Sequence, residues 1–159
     1  MLTISVFLTL DSRLLALDSI IYFLPSIIPL SMQNCYCGSG KPFANCCELY
    51  ISGKEKAPTA EALMRSRYSA YCTQQADYLV ATTHQSTRRY HNKKDILAWS
   101  KENSWIKLEI IAATENTVEF KAYFMDNRLK NHIHHEKSTF RKEGDSWFYV
   151  DGVFNEAIR

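Results

Sequence analysis

The apolar positions of this chain change period partway along it. Met64, Arg67, Tyr68 and Tyr71 recur at helical spacing and predict a helix over about 60–74. Thr59 stands where an N-cap is needed, its hydroxyl placed to accept from an amide of the first turn. Asp77-Tyr78-Leu79-Val80-Ala81 predicts a shorter second helix, and Asn92 to Trp99 a third, with Asn92 as cap and Ile96, Leu97 and Trp99 apolar. Beyond that the period becomes two: Ile106, Leu108, Ile110 and Ala112 alternate, then Val118, Phe120, Ala122 and Phe124, as in half-buried strands. Glu115-Asn116 marks the turn between them, and residues 132–142 and 146–151 predict a second hairpin around Glu143-Gly144-Asp145. Helices first and antiparallel strands afterwards predict an α+β domain, with about three helices packed on one face of a sheet.

One strand carries a polar residue toward the core. Alternation places His134, Glu136, Ser138 and Phe140 on one face, and Ile133, His135, Thr139 and Arg141 on the other. If Phe140 is buried, Glu136 is carried inward with it. Arg67 lies in the apolar stripe of the first helix, so a buried pair between Arg67 or Arg65 and Glu136 or Asp151 is expected. His132, His134 and His135 read as a strand with exposed imidazoles rather than as a metal site, because neighbours point to opposite faces.

Composition changes this picture in two places. Across 159 residues, 19 Lys and Arg against 17 Asp and Glu leave a net charge of +2, too little for bulk attraction to nucleic acid or an acidic membrane. Residues 1–31 differ from the rest: apolar, with only Asp11, Arg13 and Asp18 charged. A secretory signal needs a basic leader and a small-residue cleavage site, and this segment has no Lys or Arg before Arg13. The apolar stretch after Asp18 is interrupted by Pro25 and Pro29 and is too short for a membrane span. The expectation is a leader read in frame ahead of a start at Met32, and a cytoplasmic protein without a membrane.

Four of the five cysteines fall between Cys35 and Cys47. Cys35-Tyr-Cys37 and Cys46-Cys47 flank an eight-residue spacer that opens with Gly38-Ser39-Gly40-Lys41. Four thiolates suit a tetrahedral Zn²⁺, and a site closed by four protein ligands has no position for water, which makes it structural rather than catalytic. The glycines permit a tight turn that brings backbone amides toward sulfur, and Lys41 offsets part of the charge. Pro42 to Asn45 would return the chain as a short helical turn. Disulfides would need an oxidising compartment, for which nothing here argues. Cys72 sits in the first helix as a small core residue.

The string Cys-x-Cys-Gly-Ser-Gly-Lys-x-Phe-x-x-Cys-Cys resembles the SEC-C zinc motif. Leu63-Met64-Arg65-Ser66-Arg67-Tyr68, Ala76-Asp77-Tyr78-Leu79, Glu136-Lys-Ser138-Thr-Phe140 and Trp147-Phe-Tyr149-Val-Asp151-Gly152 are similar to the YchJ family, over roughly residues 32–155. That resemblance implies three regions: the leader 1–31, a zinc knuckle over 32–53, and a cone-like domain similar to nuclear transport factor 2 over 54–159, its helices against a curved antiparallel sheet. Many members carry a second SEC-C motif; here no cysteine follows Cys72.

Two functions follow as expectations. The first is a non-enzymatic, zinc-stabilised protein-interaction module. It would expose Tyr36, Lys41, Phe43 and Tyr50 around the knuckle, with the resemblance implying partners in translation, secretion or chaperone machinery, the ribosome among them. The second is a small-molecule binder or a dehydratase- or isomerase-like enzyme using the cone interior, with Arg65, Arg67, Tyr68, Asp77, His84, Glu136 and Asp151 as pocket candidates. Nucleic-acid binding through Arg88-Arg89-Tyr90-His91-Asn92-Lys93-Lys94 ranks third, since such a run is usually a solvated loop.

Overall fold

The computed structural model describes residues 33–154; the predicted leader over 1–31 lies outside the described residues. The knuckle begins with a small loop closed by Cys35 N–H donating to the Lys41 carbonyl at 2.8 Å and Phe43 N–H to the Gln33 carbonyl at 2.8 Å. Gly38 and Gly40 take φ of 76° and 74°, the left-handed region that side chains avoid, so the Gly-Ser-Gly turn is required by backbone sterics. A 3₁₀ turn over Phe43–Asn45 follows, as expected from Pro42 to Asn45, and then helix α1, Cys47–Ile51.

Three further helices belong to the cone. Helix α2, Ala60–Cys72, is capped by Thr59, whose hydroxyl accepts from Ala62 N–H at 3.0 Å. Helix α3 spans Ala76–Ala81, and α4 spans Lys93–Glu102 with Asn92 capping at 2.8 Å from Lys94 N–H. Four antiparallel strands follow as a meander in the order β1-β2-β3-β4: Ser104–Ala113, Thr117–Met125, Asn131–Glu143 and Ser146–Phe154. The α+β architecture read from the periodicity is therefore the observed one. Helix α2 lies across the sheet, and Leu63, Met64 and Tyr68 meet Val118, Phe120, Ala122, Phe140 and Trp147 in the core. After α3 the chain pairs with β4, through His84 N–H to the Tyr149 carbonyl at 2.7 Å and Tyr149 N–H to the Thr82 carbonyl at 2.9 Å. An edge strand that would otherwise stand open is thereby partly covered.

Bulges correct two alternations that the sequence suggests. In β1, Trp105 pairs with Phe124 and Lys107 with Tyr123, leaving Ile106 without a partner; Ile111 is skipped in the same way. Each extra residue shifts the pleat by one. Ile106 and Ile111 are consequently exposed, and Trp105 takes the inward place expected of Ile106. In β4, Tyr149 pairs with buried Phe140 while Asp151 pairs with exposed Thr139, so Val150 is the extra residue. Strict alternation from Trp147 would carry Asp151 inward; the bulge turns it out to solvent.

Candidate functional site

The four clustered cysteines come together at the knuckle. Cys35, Cys37 and Cys47 are buried and Cys46 half-buried, and their Sγ atoms all lie within 4.8 Å of one another. Cys37 and Cys46 Sγ are 3.8 Å apart, and Cys46 and Cys47 Sγ 4.0 Å. A disulfide needs about 2.05 Å, whereas four sulfurs about 2.3 Å from a common centre stand roughly 3.8 Å apart at the corners of a tetrahedron. The spacing fits four ligands around one soft cation, and these residues could hold a metal. Crowding alone treats the thiols unequally. Cys35, with Cys47 and Ser39, draws the Cys37 thiol far below its ordinary range, while Cys35, Cys37 and burial push Cys47 far above it. A central cation removes that conflict by holding every sulfur as thiolate.

The site is also tied to the cone. Ser39 Oγ lies 3.4 Å from Cys46 Sγ, and Ser69 Oγ of α2 lies 3.7 Å from Cys35 Sγ, a surrounding layer that orients the ligands. Arg65 donates from Nη1 to the Cys37 carbonyl at 2.9 Å and from Nε to Glu61 at 2.8 Å. Arg65 therefore joins the knuckle to α2 and is not a pocket residue. The expected exposed aromatic rim is also corrected. Phe43 is buried, edge-on to half-buried Tyr36 with ring centroids 5.5 Å apart, and Tyr50 is half-buried against the cone core. So small a knuckle has few other large apolar residues to enclose its sulfurs. Lys41 is exposed, as anticipated.

The second site is a cavity of about 180 Å³ inside the cone, between α2, α4 and the sheet. Met64, Tyr71, Trp99, Trp105, Phe120 and Phe154 form its apolar wall, and Arg67, His91, His134, Glu136, Ser138 and Tyr149 its polar one. Glu136 does point inward, as the β3 period requires, and is buried. The expected Arg67–Glu136 ion pair is not formed. Arg67 Nη1 donates to the Leu79 carbonyl at 2.8 Å, Thr82 Oγ1 at 2.7 Å and Thr83 Oγ1 at 3.4 Å, at the end of α3. Glu136 instead accepts from Ser138 Oγ at 2.6 Å, Tyr149 OH at 3.0 Å and His134 Nε2 at 2.7 Å. Tyr149 stands between them, its ring 4.7 Å from Arg67 Cζ and its hydroxyl on Glu136.

Burial raises the Glu136 pKa, but the bonds from His134, Ser138 and Tyr149 outweigh it and hold the carboxyl below its ordinary value. Burial and then Glu136 push the Tyr149 phenol well up, and burial with Arg67 holds His91 down. Gly152 makes the arrangement possible, since a Cβ there would overlap the Glu136 carboxylate.

The remaining pocket candidates lie elsewhere. Tyr68 is buried in the core, edge-on to Trp105. Asp77 is exposed and meets Lys93 Nζ at 2.6 Å. His84 is buried at the far end of β3, donating from Nε2 to Glu143 at 2.8 Å, with Nδ1 2.6 Å from Ser86 Oγ. Asp151 accepts from Gly152 N–H at 2.8 Å in solvent. Nor are the three histidines free imidazoles. His132 donates to Asp126 at 2.7 Å and His135 to Glu119 at 2.8 Å, while His134 turns inward to Glu136. Each carboxylate lies within the same meander, so the run is a row of sheet-bound pairs. Among residues the sequence reading missed, Tyr149 had a signal in its alternation with Trp147, whereas His91 arrives from a loop with no period.

Comparison with known proteins agrees with this geometry. Residues 33–49 match the SEC-C motif, and residues 59–152 match the YchJ middle NTF2-like domain. A UPF0225 protein of Geobacter sulfurreducens is 41% identical over 125 residues, covering 74% of this chain and 77% of its own. The solution structure of a SEC-C motif containing protein from Rhodopseudomonas palustris is 35% identical, with a TM-score of 0.71 over 78% of this chain and all of that one (100%). The crystal structure of a SEC-C motif containing protein from Psychrobacter arcticus is 32% identical, with a TM-score of 0.67, covering 82% of this chain and 87% of that one. A SEC-C cysteine cluster clamped onto an NTF2-like cone, at these identities, places the chain in the YchJ (UPF0225) family.

Proposed function

We propose that this chain is a cytoplasmic binding module whose four-cysteine cluster holds one structural Zn²⁺. The observation that carries the reading is the closed cage, with four sulfurs within 4.8 Å and three of them buried. A cage of that kind serves architecture rather than turnover. Its exposed rim, Gly38 to Pro42 with Lys41, is the surface offered to a protein partner. By likeness to SEC-C motifs, that partner belongs to translation, secretion or protein quality control. Elemental analysis with a thiol count tests the metal: one zinc per chain, four protected thiols and one free thiol at Cys72 are expected. Crosslinking with and without Cys46→Ser and Cys47→Ser tests the rim. Partners unchanged by the loss of zinc would refute the interaction role.

A second reading rests on the cone cavity: a site for a small organic molecule. Asp77 and His84, two of the groups an isomerase-like mechanism would have used, lie outside it. Glu136, bound by three donors and held below its ordinary pKa, is a weak base at neutral pH. The cavity therefore suits binding better than proton transfer. Saturable binding of any ring-sized probe that a cavity-filling substitution abolishes supports this reading.

A further inference from the structure

Arg67 is 5% exposed and lines the cone cavity. Its hydrogen bonds all leave from Nη1 toward α3; Nε and Nη2 make none with the described residues. These two groups form the side-on edge of the guanidinium, whose parallel N–H bonds match a carboxylate. The Tyr149 ring offsets some of the charge from below, but a ring face offers no lone pair to an in-plane donor. The only carboxylate lining the same cavity is committed elsewhere: Glu136 Oε1 takes Ser138 and Tyr149, and Oε2 takes His134. Three of the five guanidinium N–H groups, one on Nε and two on Nη2, thus have no acceptor among the described residues, and these residues supply no anion for that edge.

Resting on the cavity reading above, we propose that the cone binds a small monocarboxylate with a flat apolar body, its carboxylate on the Nε–Nη2 edge of Arg67. The walls favour a ring, with Tyr71, Trp99, Trp105 and Phe120 enclosing it. The cavity, about 180 Å³, exceeds the roughly 150 Å³ that admits a benzene ring, leaving space for one carboxylate beside it. A dianion is disfavoured, because Glu136 already places a negative charge in the same space.

Benzoate and its neutral isostere benzamide, titrated into the full chain, test the proposal through the fluorescence of Trp99 and Trp105. Saturable binding of benzoate, at least about tenfold tighter than benzamide, is expected from a charge-assisted pair. Arg67→Gln should abolish that preference. Because Arg67 also braces α3, Ala122→Leu provides an independent check by filling the cavity from the sheet, and it should remove binding of both probes. Equal binding of the two probes would overturn the carboxylate assignment and leave the cavity reading standing. Absence of saturable binding by either probe would overturn both. Benzoate binding unchanged in Ala122→Leu would place the ligand elsewhere and overturn the proposal.

Discussion

In the knuckle, Cys37 and Cys47 are as hidden as the core leucines, and the side-chain partners of the four sulfurs are mostly one another, with Ser39 and Ser69 hydroxyls at the margin. In the cone, Glu136 is hidden to a similar degree and already holds three donors. Both are buried clusters of titratable groups, and burial alone does not tell them apart. The useful question is whether the donors and acceptors balance within the protein. Four thiols facing a common centre do not balance, and they call for a cation. Glu136 with His134, Ser138 and Tyr149 does balance, and it is a structural network. The knuckle should thus stand or fall with the Zn²⁺ proposed for it, while the cone should fail in increments as individual bonds are removed.

The largest effect tests that contrast directly. Structural zinc contributes on the order of 10 kcal/mol to small folds of this kind. Chelation, or Cys46→Ser with Cys47→Ser, should abolish hydrogen-exchange protection over residues 33–53. The sheet amides should stay protected, because the cone has its own core. Equal loss in both regions would mean that the cone depends on the knuckle and would break the comparison.

Next come the two buried charges of the cone. Arg67→Ala removes three hydrogen bonds at the end of α3 and a cation–π contact, for about 3 kcal/mol in a urea melt. Glu136→Ala leaves three donors, one buried and two half-buried, without their acceptor and should cost a similar amount, about 3 kcal/mol. Since the two side chains do not pair, their double-mutant coupling should be at most about 0.5 kcal/mol. Coupling of several kcal/mol would restore the ion pair that the sequence suggested. Gly152→Ala, which pushes a methyl group into the Glu136 carboxylate, should cost about 2 kcal/mol, and much less once Glu136 is Ala.

How far the sequence reached into these sites follows from what periodicity can carry. The cysteine spacing was sufficient to bring the four thiols to one centre, because Gly38 and Gly40 fix the loop locally. The inward turn of Glu136 was legible because β3 runs unbroken opposite β2. Asp151 and Ile106 were misplaced because a single bulged residue inverts every later side chain, and nothing in their local composition announces it. The true partner of Arg67 was beyond reach for a different reason. Its three acceptors are one backbone carbonyl and two threonine hydroxyls at the end of α3, whose approach depends on how α3 packs against α2. Phe43 was expected on the exposed rim with Tyr36, Lys41 and Tyr50, when the deciding factor was how little else the knuckle has to bury.

Acid sharpens the same contrast on the side of the cone. The folded pKa of Glu136 lies below its ordinary value of 4.5, because three hydrogen bonds outweigh the penalty of burial. On acidification the unfolded chain therefore takes up this proton first. The stability Glu136 confers is complete above about pH 4.5 and is lost as the pH falls through the folded value. The melting gap between the wild type and Glu136→Gln should accordingly narrow as the pH drops below that point. A gap that widens with acid would mean that Glu136 is protonated in the folded protein.

The smallest effect concerns the acid that the sequence placed beside Glu136. Asp77 lies in a stretch that carries the family resemblance and was a pocket candidate, yet its side chain is 84% exposed and its partner Lys93 is 55% exposed. Solvent screens such a pair, and ordering a lysine offsets most of the attraction that remains, so Asp77→Asn should change stability by at most about 0.5 kcal/mol. The substitution should leave benzoate binding untouched as well, since Asp77 does not line the cavity. A loss of either quantity comparable to that from Glu136→Ala would bring Asp77 back into the cone and reopen the case for chemistry there. If Asp77 proves silent while Glu136 does not, burial with matched partners, rather than residue type or position in a shared motif, decides which acid the cone depends on.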